Sequence, residues 1–298
     1  MKVAAHTMGT PELSLMEAIE LFSACRFDGI EIIWDDDYHC ALTKNASRSE
    51  RSELKRLVRD RNLETVCLTP YMTEIASPDT TPRQTHLDDF CRCIDVAAQL
   101  SAPFIRVYGG AYNPNEEAEM RSTKEAILIE SLQFLGDRAA QAGVVLAVET
   151  HFSTLTCHAA ETSRIVRQVN HPHVKVLYDQ PNIEFSDGEA YEEALSVLKE
   201  LVVLVHVKDL VYKQGITGGF TSSKVMTVDE SERRISSRIP GEGIMPWPEI
   251  LQKLKEQGFA GFLSLEYERR WYPHDLPPAA DGMKRGLDYV RALLEKMS

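Results

Sequence analysis

The chain has no apolar run approaching the roughly 18 residues that span a bilayer. Its first residues, MKVAAHTMGTPE, hold no apolar stretch like that of a secretory signal. It has no Cys-x-x-Cys pair: Cys25, Cys40, Cys67, Cys91, Cys93 and Cys157 are scattered, three of them in apolar segments. A core built from 298 residues needs no disulfide support. The cysteines therefore read as free thiols in a reducing compartment, and the expected location is cytoplasmic. Basic charge is in short supply: 33 Lys and Arg face 45 Asp and Glu, a formal net charge of −12. Such a surface repels phosphate backbones and anionic lipid, so neither nucleic acid nor membrane is an expected partner. No linker rich in Pro, Gly or Ser divides the chain, so residues 1–298 read as one domain.

What is present is alternation. Short, nearly continuous apolar runs occur at Val3–His6, Gly29–Ile33, Glu64–Thr69, Phe104–Tyr108, Val144–Glu149, Val174–Tyr178, Leu201–Val207 and Phe262–Glu266. Runs of that kind suit strands buried on both faces. Helical periodicity fills the gaps, as in Leu13–Cys25, Leu87–Leu100, Lys124–Ala142 and Ala279–Met297. Ser14 and Pro246 mark helix starts, Gly143 and Gly258 helix ends. Strands alternating with helices imply a parallel sheet. The first strand runs into His6-Thr7-Met8-Gly9-Thr10-Pro11, which is no phosphate-binding glycine loop, so a closed (β/α)₈ TIM barrel is expected over an open sheet. A long loop over residues 210–245, with Gly215–Gly219 and the charged run Asp229–Arg234, follows the seventh strand. It leaves the barrel face where active sites form, and reads as a lid or an oligomer contact. A homodimer or homotetramer is the expected assembly.

Four successive strands end in a potential ligand. The fifth ends at Glu149, the sixth at Asp179, the seventh contains His206, and the eighth ends at Glu266. In a barrel those ends meet on one face. Three carboxylates so placed repel one another, and a divalent cation relieves the repulsion. Oxygen donors with one imidazole favour Mn²⁺, with Mg²⁺, Co²⁺ or Zn²⁺ as alternatives.

The ordered segments Leu146–His151, Leu177–Asp179, His206–Asp209, Pro240–Gly243 before Trp247, and Leu263–Glu266 resemble the xylose isomerase-like TIM-barrel superfamily, the sugar phosphate isomerase/epimerase group. The resemblance covers essentially the whole chain and is specific for the superfamily rather than for one reaction. It implies that Glu149 and Glu266 bind the metal and also carry a proton. The reaction implied is isomerisation or epimerisation of a keto-sugar or related polyol, by proton abstraction next to a metal-bound carbonyl through an enediolate. The alternative is a metal-dependent lyase or dehydratase acting on a keto-cyclitol or 3-keto-glycoside. One position departs from the ketose epimerases of the group: Asn182 stands three residues after Asp179, where they usually carry His. Asn can hydrogen-bond a hydroxyl but cannot titrate.

Further candidates for the substrate pocket are His151, two residues past Glu149; Lys208, two past His206; Arg106 on the fourth strand; and His6 and Trp34 at the ends of the first two. Tyr108 is a further candidate to close the pocket. Glu31 alternates inward on the second strand and needs a partner, either a cation such as Arg106 or the site itself. After the last strand, Arg269 or Arg270 offers a contact for phosphate or carboxylate, and His274 beside Pro273 reads as part of a rigid loop. A nuclease like endonuclease IV would need a three-zinc ligand set that the histidines do not supply. A non-catalytic barrel would not keep the four-residue ligand set.

Overall fold

The computed structural model describes residues 1–113, 115–216 and 233–297. Seven strands come first: β1 (Lys2–His6), β2 (Gly29–Ile33), β3 (Glu64–Thr69), β4 (Phe104–Val107), β5 (Val145–Glu149), β6 (Val174–Tyr178) and β7 (Val202–Val207). A hairpin of β8 (Asp209–Tyr212) and β9 (Ile235–Arg238) precedes the last strand, β10 (Phe262–Leu265). The first seven strands and β10 pair in parallel around a closed barrel, with β1 sealing against β10. The outer helices are α1 (Leu15–Cys25), α2 (Arg48–Asp60), α3 (Thr80–Leu100), α4 (Ala118–Ala142), α5 (Ala159–Val169), α6 (Gln180–Phe185), α7 (Tyr191–Leu198), α8 (Trp247–Glu256) and α9 (Ala279–Lys296). The chain is thus the expected TIM barrel. No described helix is long and apolar enough to cross a membrane.

Local chemistry sets the helix limits. Ser14 Oγ accepts from the Glu17 N–H at 3.3 Å while the Glu17 carboxylate accepts from the Ser14 N–H at 2.8 Å, which starts α1 at Leu15 rather than Leu13. Ser47 and Glu50 repeat the device on α2. Gly143 ends α4 with a positive φ of 70°, a backbone state in which a glycine meets no Cβ penalty.

The two-residue period of the strands separates two cores. Residues of one parity, among them Ala5, Ile30, Ile32, Ile105, Val148 and Val205, pack outward against Phe22, Phe90, Leu132, Ile250 and Leu287 of the helices. The other parity turns inward, where Ala4, Ala147, Leu177 and Leu204 fill the barrel floor. Two residues further along the same inward rows stand His6, Glu149, Asp179 and His206, all buried.

This parity corrects the expectation for Trp34. It continues the outward row of Ile30 and Ile32 and belongs to the outer core. Its ring lies beneath Lys44 Nζ, 5.7 Å from the centroid, and Arg92 Cζ, 5.8 Å away. The inward place at that end of β2 goes to Ile33, which clusters with Met8.

The long connection is also not simply a loop. Its two ends pair antiparallel, from Asp209↔Arg238 to Tyr212↔Ile235. The lid expected between them falls on residues 217–232, outside the described residues. The return to the barrel is pinned by Asp209: Oδ2 accepts from Gly241 and Gly243, and Oδ1 from Leu210 and Met245, at 2.9–3.2 Å. A Cβ on Gly243 would come within 2.1 Å of Asp209 Oδ1, so glycine is required there. Trp247 completes the clasp by donating from Nε1 to the Lys208 carbonyl at 3.1 Å.

Candidate active site

The inward rows converge on His206. Its Nδ1 lies 3.3 Å from Glu149 Oε1, 3.5 Å from Asp179 Oδ2 and 3.4 Å from Glu266 Oε2. One donor atom from each of the four residues lies within 4.8 Å of all the others, and all four are buried. Donors bonded at about 2.1 Å to one ion sit roughly 3.0–3.4 Å apart at octahedral to tetrahedral angles, so the spacing fits a single cation. Two atoms also have no hydrogen-bond partner: His206 Nδ1 and Asp179 Oδ2. Buried polar atoms are rarely left in that state, and a divalent ion would satisfy both. The donor set, three carboxylates and an imidazole, suits a hard or borderline ion.

The far side of His206 is held as firmly. Nε2 lies 3.2 and 3.3 Å from the two oxygens of Glu31, which also accepts from Thr69 Oγ1 at 2.6 Å. An ionised carboxylate only accepts, so Nε2 carries a proton, and with a cation held in the cluster Nδ1 would turn its lone pair to that ion. Burial works against the Glu31 charge, but His206 and His6 outweigh it and hold the carboxyl far below its ordinary range. Burial likewise opposes charge on His206, yet Glu266 and Glu31 drive its pKa well upward. The site thus draws positive charge to Nδ1. His6 backs this arrangement: Nδ1 accepts from Met8 N–H at 3.0 Å, and Nε2 lies 3.7 Å from Glu31.

Lys208 joins the cluster from just beyond the end of β7, two residues past His206. Its ammonium donates to Glu266 at 2.7 Å and Glu268 at 3.4 Å. It also lies 3.0 Å from Asp179 Oδ2, off the axis of a hydrogen bond. Burial nevertheless pushes Asp179 up to about 6, with Lys208 pulling the other way. Asn182 donates from Nδ2 to Glu149 at 3.4 Å and to the Thr150 carbonyl at 3.2 Å, while Asp179 caps its backbone N–H at 3.0 Å. Arg106 lies 3.6 Å from Glu149 Oε2, with its guanidinium 3.7 Å from the centroid of the Tyr108 ring and 4.8 Å from that of Tyr71. Its Nε and Nη1 are buried without hydrogen-bond partners.

His151 sits at the edge of this group, between Tyr108 and Phe152, at 4.7 and 4.2 Å between ring centroids. Burial lowers its pKa to about 4 against the pull of Glu149. Its Nδ1 lies 2.9 Å from the Phe152 carbonyl. A carbonyl cannot donate, so Nδ1 bears the proton and Nε2 is the basic nitrogen of a neutral ring.

A family model for the xylose isomerase-like TIM barrel matches residues 19–293. The chain belongs to that family. Among its relatives is an inosose dehydratase of Erwinia tasmaniensis, 24% identical over 226 residues, 72% of this chain and 73% of the enzyme. An inosose dehydratase of Geobacillus thermodenitrificans is 24% identical over 143 residues, so this chain spans only about half of its length (47%). In fold the family member resembles a D-psicose 3-epimerase (TM-score 0.75, 19% identity, 99% of each chain). It also resembles a probable 3-DHS dehydratase of Bacillus anthracis (TM-score 0.74, 20% identity, 98% of this chain and 99% of that one).

Of the residues named from the sequence, the barrel brings together Glu149, Asp179, His206 and Glu266, borders them with Lys208, Asn182, Arg106, His6 and His151, and leaves out Trp34. Glu31 does not pair with Arg106: it belongs to the two histidines, and Arg106 pairs with Glu149. Arg269 is spent on Glu12 and on the Pro273 and Leu276 carbonyls. Arg270 lies over the Tyr38 and Trp271 rings. Sequence reasoning missed the partners Thr69 and Glu268 and the anchoring role of Asp209. Thr69 and Glu268 carried a signal: each shares the inward parity of its strand or its extension.

Proposed function

We propose that this family member is a divalent-metal-dependent isomerase or epimerase of a keto-sugar or related polyol. The observation that carries the reading is the meeting of Glu149 and Glu266 with Asp179 and His206 on one cation-sized spacing. Glu149, Asp179, His206 and Glu266 would hold the ion, with Mn²⁺ the preferred occupant. A divalent cation bound there supplies Lewis-acid polarisation of a substrate carbonyl, which acidifies the neighbouring C–H. One glutamate removes that proton as general base, and the other returns a proton to the opposite face or to the adjacent carbon. Asn182 and Arg106 orient the Glu149 carboxylate, and Lys208 does the same for Glu266. The unpartnered Arg106 N–H groups are available to substrate oxygens.

A second reading, dehydratase or lyase action on a keto-cyclitol or 3-keto-glycoside, is favoured by His151. A ring held neutral by burial, with its Nε2 unprotonated and Glu149 nearby, is an additional proton acceptor that a two-glutamate epimerase does not need. The inosose dehydratase relatives fit the same reading. Both reactions begin with the same proton abstraction.

Mn²⁺-loaded protein incubated in D₂O with ketoses, inososes and 3-keto-glucosides, followed by NMR, separates them. Deuterium entering beside the carbonyl with the skeleton kept supports the first reading. Loss of water or of an aglycone supports the second. Glu149→Gln and Glu266→Gln should each lower the exchange rate by about 10²-fold or more; undiminished exchange in both would refute the assignment.

A further inference from the structure

The connection from β5 into α5 carries a second group of donor side chains that the barrel chemistry does not use: Cys157, His158 and Glu161. Glu161 Oε2 lies 3.6 Å from Cys157 Sγ and 3.6 Å from His158 Nδ1. One donor atom from each residue falls within 4.8 Å of the other two. A tetrahedral zinc ion holds sulfur at about 2.3 Å and nitrogen or oxygen at about 2.0–2.2 Å, which spaces its donors roughly 3.4–3.6 Å apart. Glu161 Oε2 already stands at that spacing from both Cys157 Sγ and His158 Nδ1.

The outward-facing atoms of the group are committed elsewhere, as they are for ligands oriented by neighbours. Glu161 Oε1 pairs with the Arg121 guanidinium, which leaves Oε2 to the group. His158 Nε2 lies 3.2 Å from the Ser186 carbonyl. The carbonyl only accepts, so the ring proton resides on Nε2 and the Nδ1 lone pair faces a carboxylate oxygen. A cation between them turns that repulsion into attraction. The backbone beneath is anchored independently, because the N–H groups of Ala159 and Ala160 donate to the Glu189 carboxylate at 2.9 and 2.8 Å. The side chains of His158 and Glu161 are 37% and 24% exposed, so an ion can reach them from solvent.

We propose that Cys157, His158 and Glu161 form a three-ligand site for a zinc-class divalent cation, with the fourth position open to solvent and separate from the barrel cluster. Binding replaces the S–H bond of Cys157 by a sulfur–metal bond and releases the proton to solvent. The mixed thiolate, imidazole and carboxylate set selects a borderline-soft ion over Mg²⁺ or Ca²⁺.

The test is a Co²⁺ titration of the intact chain followed by absorption. The expected result is a near-ultraviolet thiolate-to-cobalt charge-transfer band. In Cys157→Ser the band disappears and the chain binds one equivalent less, with its circular dichroism and melting temperature retained. His158→Ala weakens the same equivalent by about 10-fold or more. Glu149→Gln keeps the band, so failure of the barrel reading and failure of this one are distinguishable. Absence of the band from the unmodified chain, or its persistence in Cys157→Ser, overturns the proposal.

Discussion

Replacing Glu31 by Gln tests whether the barrel site is organised around a cation at His206 Nδ1. Glu31 is fully buried, accepts from Thr69 at 2.6 Å and faces His206 Nε2 at 3.2 and 3.3 Å. Gln is isosteric but presents one acceptor and one NH₂ group. If its oxygen stays with Thr69, the NH₂ group meets the Nε2–H of His206, donor against donor. The imidazole escapes by moving its proton to Nδ1, which is the atom that must stay free for the ion. Loss of such an orienting partner costs about 10–100-fold in metal affinity, or roughly 1.4–2.7 kcal/mol. Competition for Mn²⁺ against a fluorescent chelator measures it directly, with circular dichroism verifying that the barrel remains folded. Affinity within about twofold of the unmodified protein, in a folded variant, would refute the reasoning, because the proton on Nε2 would then not control the ligand face.

Asp209→Ala leaves up to four backbone N–H groups at the return from the hairpin without their acceptor. At about 1–3 kcal/mol for a buried unsatisfied donor, and with water relieving some of them, urea unfolding should show a loss of about 2–4 kcal/mol; a loss under about 1 kcal/mol would count against the clasp. Ser14→Ala removes the α1 capping box and should cost about 1 kcal/mol, measured by thermal melting, with the exchange rate in D₂O unaltered. Trp34→Phe should lower stability while leaving KM and kcat near their original values, since the ring packs in the outer core; a large rise in KM would return Trp34 to the substrate pocket.

Much of this protein was legible because strand parity is a local property. Once the apolar runs are taken as parallel strands, the two-residue period turns Ala147 inward and Glu149 with it, and likewise Leu204 and His206. The ends of β5, β6, β7 and β10 then point to one face in any closed barrel. Trp34 was misplaced because the period was not carried from Ile30 and Ile32 to the end of β2. Glu31 was recognised as needing a partner, but its partner could not be read. The barrel brings it to His206, which lies 175 residues away in the chain, and no local pattern encodes that approach.

The amino-acid sequence by itself determined the barrel class, the helix start marked by Ser14, and the inward set Glu149, Asp179 and His206. Each of these follows from short-range periodicity or from a side chain bonding its own backbone. Only the tertiary structure decided which cation meets which acid: Arg106 with Glu149, Lys208 with Glu266, His6 and His206 with Glu31. It also decided that Asp209 faces the backbone of Gly241 and Gly243 instead of the site. The reason is that charge pairing in a barrel depends on stagger between strands that are distant in sequence, and closure sets that stagger.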